Sequence, residues 1–230
     1  MRAYASQLFS ALAKLKTMGI VHADLKPDNI LVSADLRRVA LADFGSAFRL
    51  TDVDAGQPTP YLVSRYYRAP EIILGLQYGC EADVWALGAT IFELATGSLL
   101  FTGSTNNDML KQQQRTLGPF SASMVRRHIR SYTDKLELEP HFDAESQKFK
   151  QHEADPVTGK IVRKLVKYKE PEKKDSGTIL GRLRANKGEV DEDLVDLSEL
   201  ILACLCLDPA HRLDPTKIDS MPLFKKIKRG

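Results

Sequence analysis

Over residues 1–18 apolar side chains recur at helical spacing: Leu8, Leu12 and Leu15, with Phe9 and Met18 widening the stripe. The pattern predicts a helix that Gly19 ends, because glycine takes a left-handed helix terminus without a steric cost. The period then shortens. Gly19-Ile20-Val21 and Ile30-Leu31-Val32 are apolar runs on either side of a polar stretch. Ile30–Val32 and Arg38–Ala42 predict two short strands around Ser33-Ala34-Asp35. Thr51 to Pro58 is polar and rich in breakers, which predicts a mobile loop. From Asp83 to Gly97 the chain is apolar almost all round, with Val84, Leu87, Ile91 and Leu94 on one face and Trp85 and Phe92 broadening it. Such a helix is a buried one.

Asn106 to Leu117 predicts a further helix, stopped at Gly118-Pro119. Between 120 and 190 the helical period fades and charge rises. Phe149–Glu153 and Lys160–Val166, around Asp155-Pro156-Val157-Thr158-Gly159, predict a β-hairpin, and Lys169–Gly177 predicts disorder. Leu194, Leu197, Leu200, Ile201, Cys204 and Leu205 restore one apolar face over residues 191–207, and Thr216–Phe224 predicts a closing helix.

The composition narrows the class. The chain has 230 residues, 43% hydrophobic and 27% charged, the balance of a globular protein. No run reaches the roughly 20 apolar residues of a membrane span, and the N-terminus lacks a secretory layout. Of three cysteines, Cys204 and Cys206 point in different directions on a helical stretch, which predicts reduced thiols in a cytosolic or nuclear protein. Formal charge is +3, too small to argue for nucleic acid. The lysines of residues 149–177 lack interleaved aromatics, so a solvated face is expected rather than an RNA site.

The chemistry sits in the polar stretch, His22-Ala23-Asp24-Leu25-Lys26-Pro27-Asp28-Asn29, with Asp43-Phe44-Gly45 fourteen residues beyond Asn29. Two aspartates, a lysine and an asparagine in this order are what phosphoryl transfer from a nucleotide requires. Asp24 can take the proton of an attacking hydroxyl, Lys26 can neutralise the moving phosphoryl group, and Asn29 and Asp43 can hold magnesium.

These two motifs, followed by Ala69-Pro70-Glu71 and Asp83-Val84-Trp85-Ala86-Leu87-Gly88, resemble the catalytic core of the eukaryotic protein kinases. Tyr61-x-x-Ser64-Arg65-x-Tyr67-Arg68-Ala69-Pro70-Glu71 is similar to the group of cyclin-dependent, mitogen-activated and dual-specificity tyrosine-regulated kinases. Tyr61, Arg65 and Arg68 lie four and seven residues apart, so a phosphate on Tyr61 would reach two guanidinium groups. The family pattern has Arg where this chain has Ala23, so any phosphate switch is expected to run through Arg65 and Arg68. His-Ala-Asp, Asp-Phe-Gly-Ser-Ala, Thr-Pro-Tyr-Leu-Val-Ser-Arg and Thr105-Asn106-Asn107 together resemble one branch, the pre-mRNA-processing (splicing factor) kinases.

The resemblance implies serine/threonine transfer from ATP with Mg2+, protein substrates, with splicing factors among them, and a nuclear or cytoplasmic monomer, the nucleus favoured, free of membrane and direct nucleic-acid contact. It implies that Ser64 contacts Asp24 and Lys26, and that Arg212 pairs with Glu71. It also implies that Asp83 bonds the catalytic-loop backbone, a role compatible with capping its own helix. His22 and Phe44 are implied to pack at the site, with part of their contact supplied by an N-terminal lobe. The expected fold is mainly α, a kinase C-terminal lobe with small hairpins over residues 1–230, carrying the family's partner-docking insert at 120–190. No G-x-G-x-x-G and no strand lysine precede His22, so the N-terminal β lobe is expected to be absent and the chain inactive alone. The rival readings are a lobe-only binding scaffold and a substrate decoy.

Overall fold

The computed structural model describes residues 1–52, 57, 59–61, 63–156, 158–169, 178–187 and 192–225. Of the expected mobile loop 51–58, residues 53–56 and 58, of the expected disordered stretch 169–177, residues 170–177, and at the C-terminus residues 226–230 lie outside the described residues.

Helix α1 (Arg2–Thr17) buries Ala5, Leu8, Phe9 and Leu12. Met18, expected on that face, is exposed because it sits at the C-cap, where the chain leaves the helix axis. Gly19 follows at φ +64°. Next come β1 (Ile20–Val21), β2 (Ile30–Val32), β3 (Val39–Leu41) and β4 (Phe48–Arg49). They form two antiparallel ribbons, β1 with β4 and β2 with β3, the latter in the register Ile30 to Leu41. After short α2 (Pro70–Ile73) comes α3 (Cys80–Thr96), buried continuously from Ala82 to Phe92. Leu94 breaks the expected face: it is exposed, because the last turn of α3 runs beyond the core.

The remaining elements are α4 (Asn106–Leu117), α5 (Ala122–Arg130), hairpin strands β5 (Phe149–Ala154) and β6 (Ile161–Val166), α6 (Ile179–Lys187), α7 (Glu192–Cys204) and α8 (Pro222–Lys225). A π-turn, Ser131–Lys135, continues α5. The architecture is helical, with three two-stranded ribbons at its surface among the described residues. One apolar core joins α1, α3, α4 and α7. Gly88 shows how close α3 and α7 pass: a Cβ there would stand 2.6 Å from Cys204 Cβ.

Two helices occupy the stretch where the period faded. α5 spans only nine residues and buries a histidine, His128, beside Met124 and Val125. α6 also spans nine, and buries only Ile179 and Leu183. Neither is long enough for a 3.6-residue period to stand out. The closing helix is split into a 3-10 turn over Pro215–Ser220 and α8, since Pro222 has no N–H to continue the first piece.

Candidate active site

The loop after β1 is held from below. Asp83, in the first turn of α3, accepts hydrogen bonds from the backbone N–H of His22 (2.7 Å) and Ala23 (2.9 Å). Gly79 occupies the N-cap of α3, so the Asp83 carboxylate serves the loop and not its own helix. Burial pushes that carboxyl up, and the two amide donors act against the rise. Ala23 takes φ +63°, an uncommon conformation for a residue with a Cβ, and its methyl is buried.

Four side chains meet above this support. Lys26 Nζ donates to Asp24 Oδ2 (2.7 Å) and to Ser64 Oγ (3.0 Å). Ser64 Oγ donates to Asp24 Oδ1 (2.8 Å), so its hydroxyl bridges acid and ammonium. Asn29 Nδ2 donates to the Asp24 carbonyl (2.8 Å) and to Asp24 Oδ2 (3.2 Å). The amide nitrogen of Asn29 is thereby spent inward and its Oδ1 remains as an acceptor. Burial alone would raise the Asp24 carboxyl, but the hydrogen bonds from Lys26 and Ser64 outweigh it and hold the group below its ordinary range. The same contact raises Lys26: the bond to Asp24 first, with the charges of Asp24, Asp28 and Asp43 adding to it. Asp24 is held ionised and Lys26 protonated.

Asp43 is brought to this cluster by the backbone. Ala42 N donates to Asn29 O (2.9 Å), and His22 Nε2 lies 2.9 Å from Ala42 O. His22 Nδ1 accepts from Asp24 N (3.3 Å), so the ring proton sits on Nε2 and is donated to Ala42. Phe44 packs edge-on against His22, with ring centroids 4.8 Å apart. Asp43 has φ +58° and accepts from Gly45 N (3.2 Å). Leu31 and Val32 of β2 are 60% and 48% exposed.

The donor set fits magnesium. A hard dication prefers carboxylate and carbonyl oxygen and needs only one or two carboxylates besides phosphate oxygens. Among the described residues no three His, Cys, Asp or Glu side chains cluster as metal ligands, and Asn29 with Asp43 asks for no such cluster.

The activation segment approaches from the other side. Arg68 is buried and donates to Val63 O (2.8 and 3.2 Å), Tyr61 O (3.0 Å) and Asn106 Oδ1 (2.6 Å). Val63, whose carbonyl it grips, has φ +71°. In the unmodified chain Arg68 clamps the backbone of the loop. Arg65 is exposed beside Tyr61, in a groove of about 850 Å³ that lies beside these two residues rather than over Asp24. Sequence reasoning placed Asn106 in a motif but assigned it no contact, and did not single out Gln113. Asn106 Nδ2 donates to Pro60 O (3.0 Å) and Gln113 Nε2 to Arg68 O (3.2 Å), tying α4 to the segment. At its far end Glu71 meets Arg212 in a two-pronged pair at 2.5 and 2.9 Å, both side chains fully buried. Arg212 also donates to Glu81 O and Cys206 O and lies over the Trp85 ring.

A model of the protein kinase domain matches residues 1–224. The chain belongs to the protein kinase family. It is 40% identical over 228 residues to serine/threonine-protein kinase prp4 of Schizosaccharomyces pombe, covering 98% of this chain and 45% of that protein. It is 40% identical over 217 residues to serine/threonine-protein kinase prpf4B of Dictyostelium discoideum, covering 93% and 25%. Homeodomain-interacting protein kinase 4 of Homo sapiens is 32% identical over 228 residues, covering 94% and 37%. These relatives fit the branch that the motifs of this kinase resemble. The chain spans less than half the length of each. No helix among its described residues is long and apolar enough to cross a membrane.

Proposed function

We propose that this kinase chain is the helical C-terminal lobe portion of a serine/threonine protein kinase, and that its site moves the ATP γ-phosphate to a protein hydroxyl. The carrying observation is the hydrogen-bonded cluster of Asp24, Lys26, Ser64 and Asn29, with Asp43 acting on the same ammonium. ATP with Mg2+ supplies the transferable phosphoryl group and neutralises its oxygens. Asp24, kept ionised, accepts the proton of the incoming hydroxyl. Lys26, kept protonated, balances charge beside it. Asn29 Oδ1 and the Asp43 carboxylate are the oxygens that would hold the metal. Ser64 fixes the spacing of Asp24 and Lys26. From the branch resemblance we assign splicing factors as substrates, a nuclear location and a monomeric state without direct nucleic-acid contact. Residues 120–190 are assigned as the docking insert.

The 230 residues contain no glycine-rich loop and no strand lysine, so positioning of the γ-phosphate is incomplete within them. The purified chain is expected to leave a generic protein substrate unmodified; robust phosphorylation by it overturns that part. Joined to an N-terminal kinase lobe from a relative, it is expected to phosphorylate serine peptides. Asp24→Asn is then expected to cost about 10²–10⁴-fold in kcat, the span of a positioned acid or base. Activity that survives Asp24→Asn refutes the assigned role. Peptides bound but never modified in the joined protein point instead to a scaffold or decoy.

A further inference from the structure

α5 turns Arg126, Arg127 and Arg130 to solvent, and none of their side chains has a hydrogen-bond or ion-pair partner among the described residues. Arg127 and Arg130 stand one turn apart in the last turn of the helix. The π-turn that follows brings Lys135 beside them. All three line one concavity of about 460 Å³, together with Gly75 and with Gln57 of the activation segment. Asp134 is the single carboxylate among the lining residues, and it accepts from Thr133 Oγ1 at 2.7 Å. Three cations therefore face one anion.

The cations stand on a fixed frame. Behind them His128 Nδ1 lies 2.9 Å from Leu74 O, Tyr132 donates to Ile73 O (2.6 Å), and Ser131 Oγ donates to Gly75 O. Gly75 is so tightly packed that a Cβ would come within 2.8 Å of Leu136 Cδ1. The π-turn is a second observation, since such irregular turns occur frequently at functional sites. A cup with two guanidinium forks and an ammonium matches a dianionic phosphate, whose oxygens take paired N–H donors.

We propose that this concavity binds the phosphate of a phosphoserine or phosphothreonine in a protein segment. Nucleic acid fits less well, because no aromatic side chain lines the cup to stack a base. Gln57 lies on the activation segment, so an occupant touches that segment while bound to α5. The inference does not rest on the kinase reaction, and its residues are separate from Asp24 and from the groove at Tyr61 and Arg65.

The test uses the whole 230-residue chain and fluorescence anisotropy. The probes are labelled serine peptides with degenerate flanks, with and without phosphate, a labelled single-stranded RNA, and inorganic phosphate as competitor. The phosphopeptide is expected to bind at least about tenfold more tightly than its unmodified form, the value of one lost charged hydrogen bond. The double variant R127Q/R130Q is expected to remove that advantage, with the thermal melt unchanged because both side chains are exposed. Arg126→Gln, outside the cup, is expected to leave affinity within about twofold, as for an exposed charge. Equal binding of the unmodified peptide, or no binding at all, overturns the proposal. So does an Arg126→Gln variant as damaged as the pair. RNA bound more tightly than phosphopeptide, or inorganic phosphate bound as tightly, overturns the assignment to a protein segment.

Discussion

Beneath Asp24 this kinase is held by bonds from which water is excluded, whereas the outer face of the hairpin β5–β6 carries ion pairs standing in solvent. Asp83 is buried beneath the catalytic loop, and the Glu71–Arg212 pair beyond the activation segment is fully buried. On the hairpin, Arg163 meets Glu139 at 2.7 Å with both side chains about half exposed, and Lys164 meets Glu153 at 3.2 Å with Lys164 open to water. The distances are alike and the energetics are not. Breaking a buried pair strands a charge in a poor dielectric; breaking an exposed pair returns both groups to water. Positional accuracy at the site rests on buried groups that the fold cannot lose, while the exposed pairs of the hairpin add little.

The contrast is broken most severely by Arg212→Leu, which leaves Glu71 buried and unpaired. A loss of about 3–5 kcal/mol is expected from urea unfolding at neutral pH. Asp83→Ala removes the acceptor of two buried N–H groups, each worth about 1–3 kcal/mol when left unsatisfied. It should therefore cost several kcal/mol in the same measurement and raise amide exchange at His22 and Ala23. Gly88→Ala is expected to cost about 1–3 kcal/mol by overpacking against Cys204, with Cys204→Gly restoring part of it.

The arm between α4 and α7 has a buried polar centre at His128, and it sharpens the comparison through pH. His128 Nε2 accepts from His141 N (2.9 Å), so its proton must sit on Nδ1, facing Leu74 O. Protonating Nε2 would break the first bond, and burial lowers the imidazole to about 4. Between that value and the unfolded value near 6.5, the folded chain binds fewer protons than the unfolded one. Stability is therefore complete above about pH 6.5 and falls as pH drops towards 4, by up to about 1.4 kcal/mol per pH unit for this group. His128→Gln should reduce that slope in pH-dependent melts, leaving the share of buried His141, which burial lowers to about 3. Smallest of all, Arg163→Ala is expected to move stability by less than about 1 kcal/mol, as exposed pairs do. A loss as large as that of Arg212→Leu would erase the distinction.

Much of the site was legible because it is compact in sequence. Asp24, Lys26 and Asn29 lie within six residues, and a loop that short cannot scatter them far. Glu71 and Arg212, 141 residues apart, were matched only through the family resemblance, and no local pattern joins them. The part played by Asn106 and Gln113 was not legible, since a polar side chain on a helix reads the same whether it faces water or a loop carbonyl. Arg65 and Arg68 looked equivalent by spacing. Burial separates them: Arg68 grips three backbone or side-chain oxygens of its surroundings, and Arg65 stays open beside Tyr61.

By itself the chain's order of residues determined the long elements α1, α3, α4 and α7, because a sustained apolar period leaves one face that must be buried. It also carried the motifs by which the chain is placed in the kinase family, because those residues are neighbours in the loop. Tertiary structure alone decided which charges are locked and which are open, why α5 and α6 are helices despite too few apolar turns, and where three cations gather into one cup. Those outcomes depend on what packs against each side chain, and contacts between distant segments leave no period in the sequence.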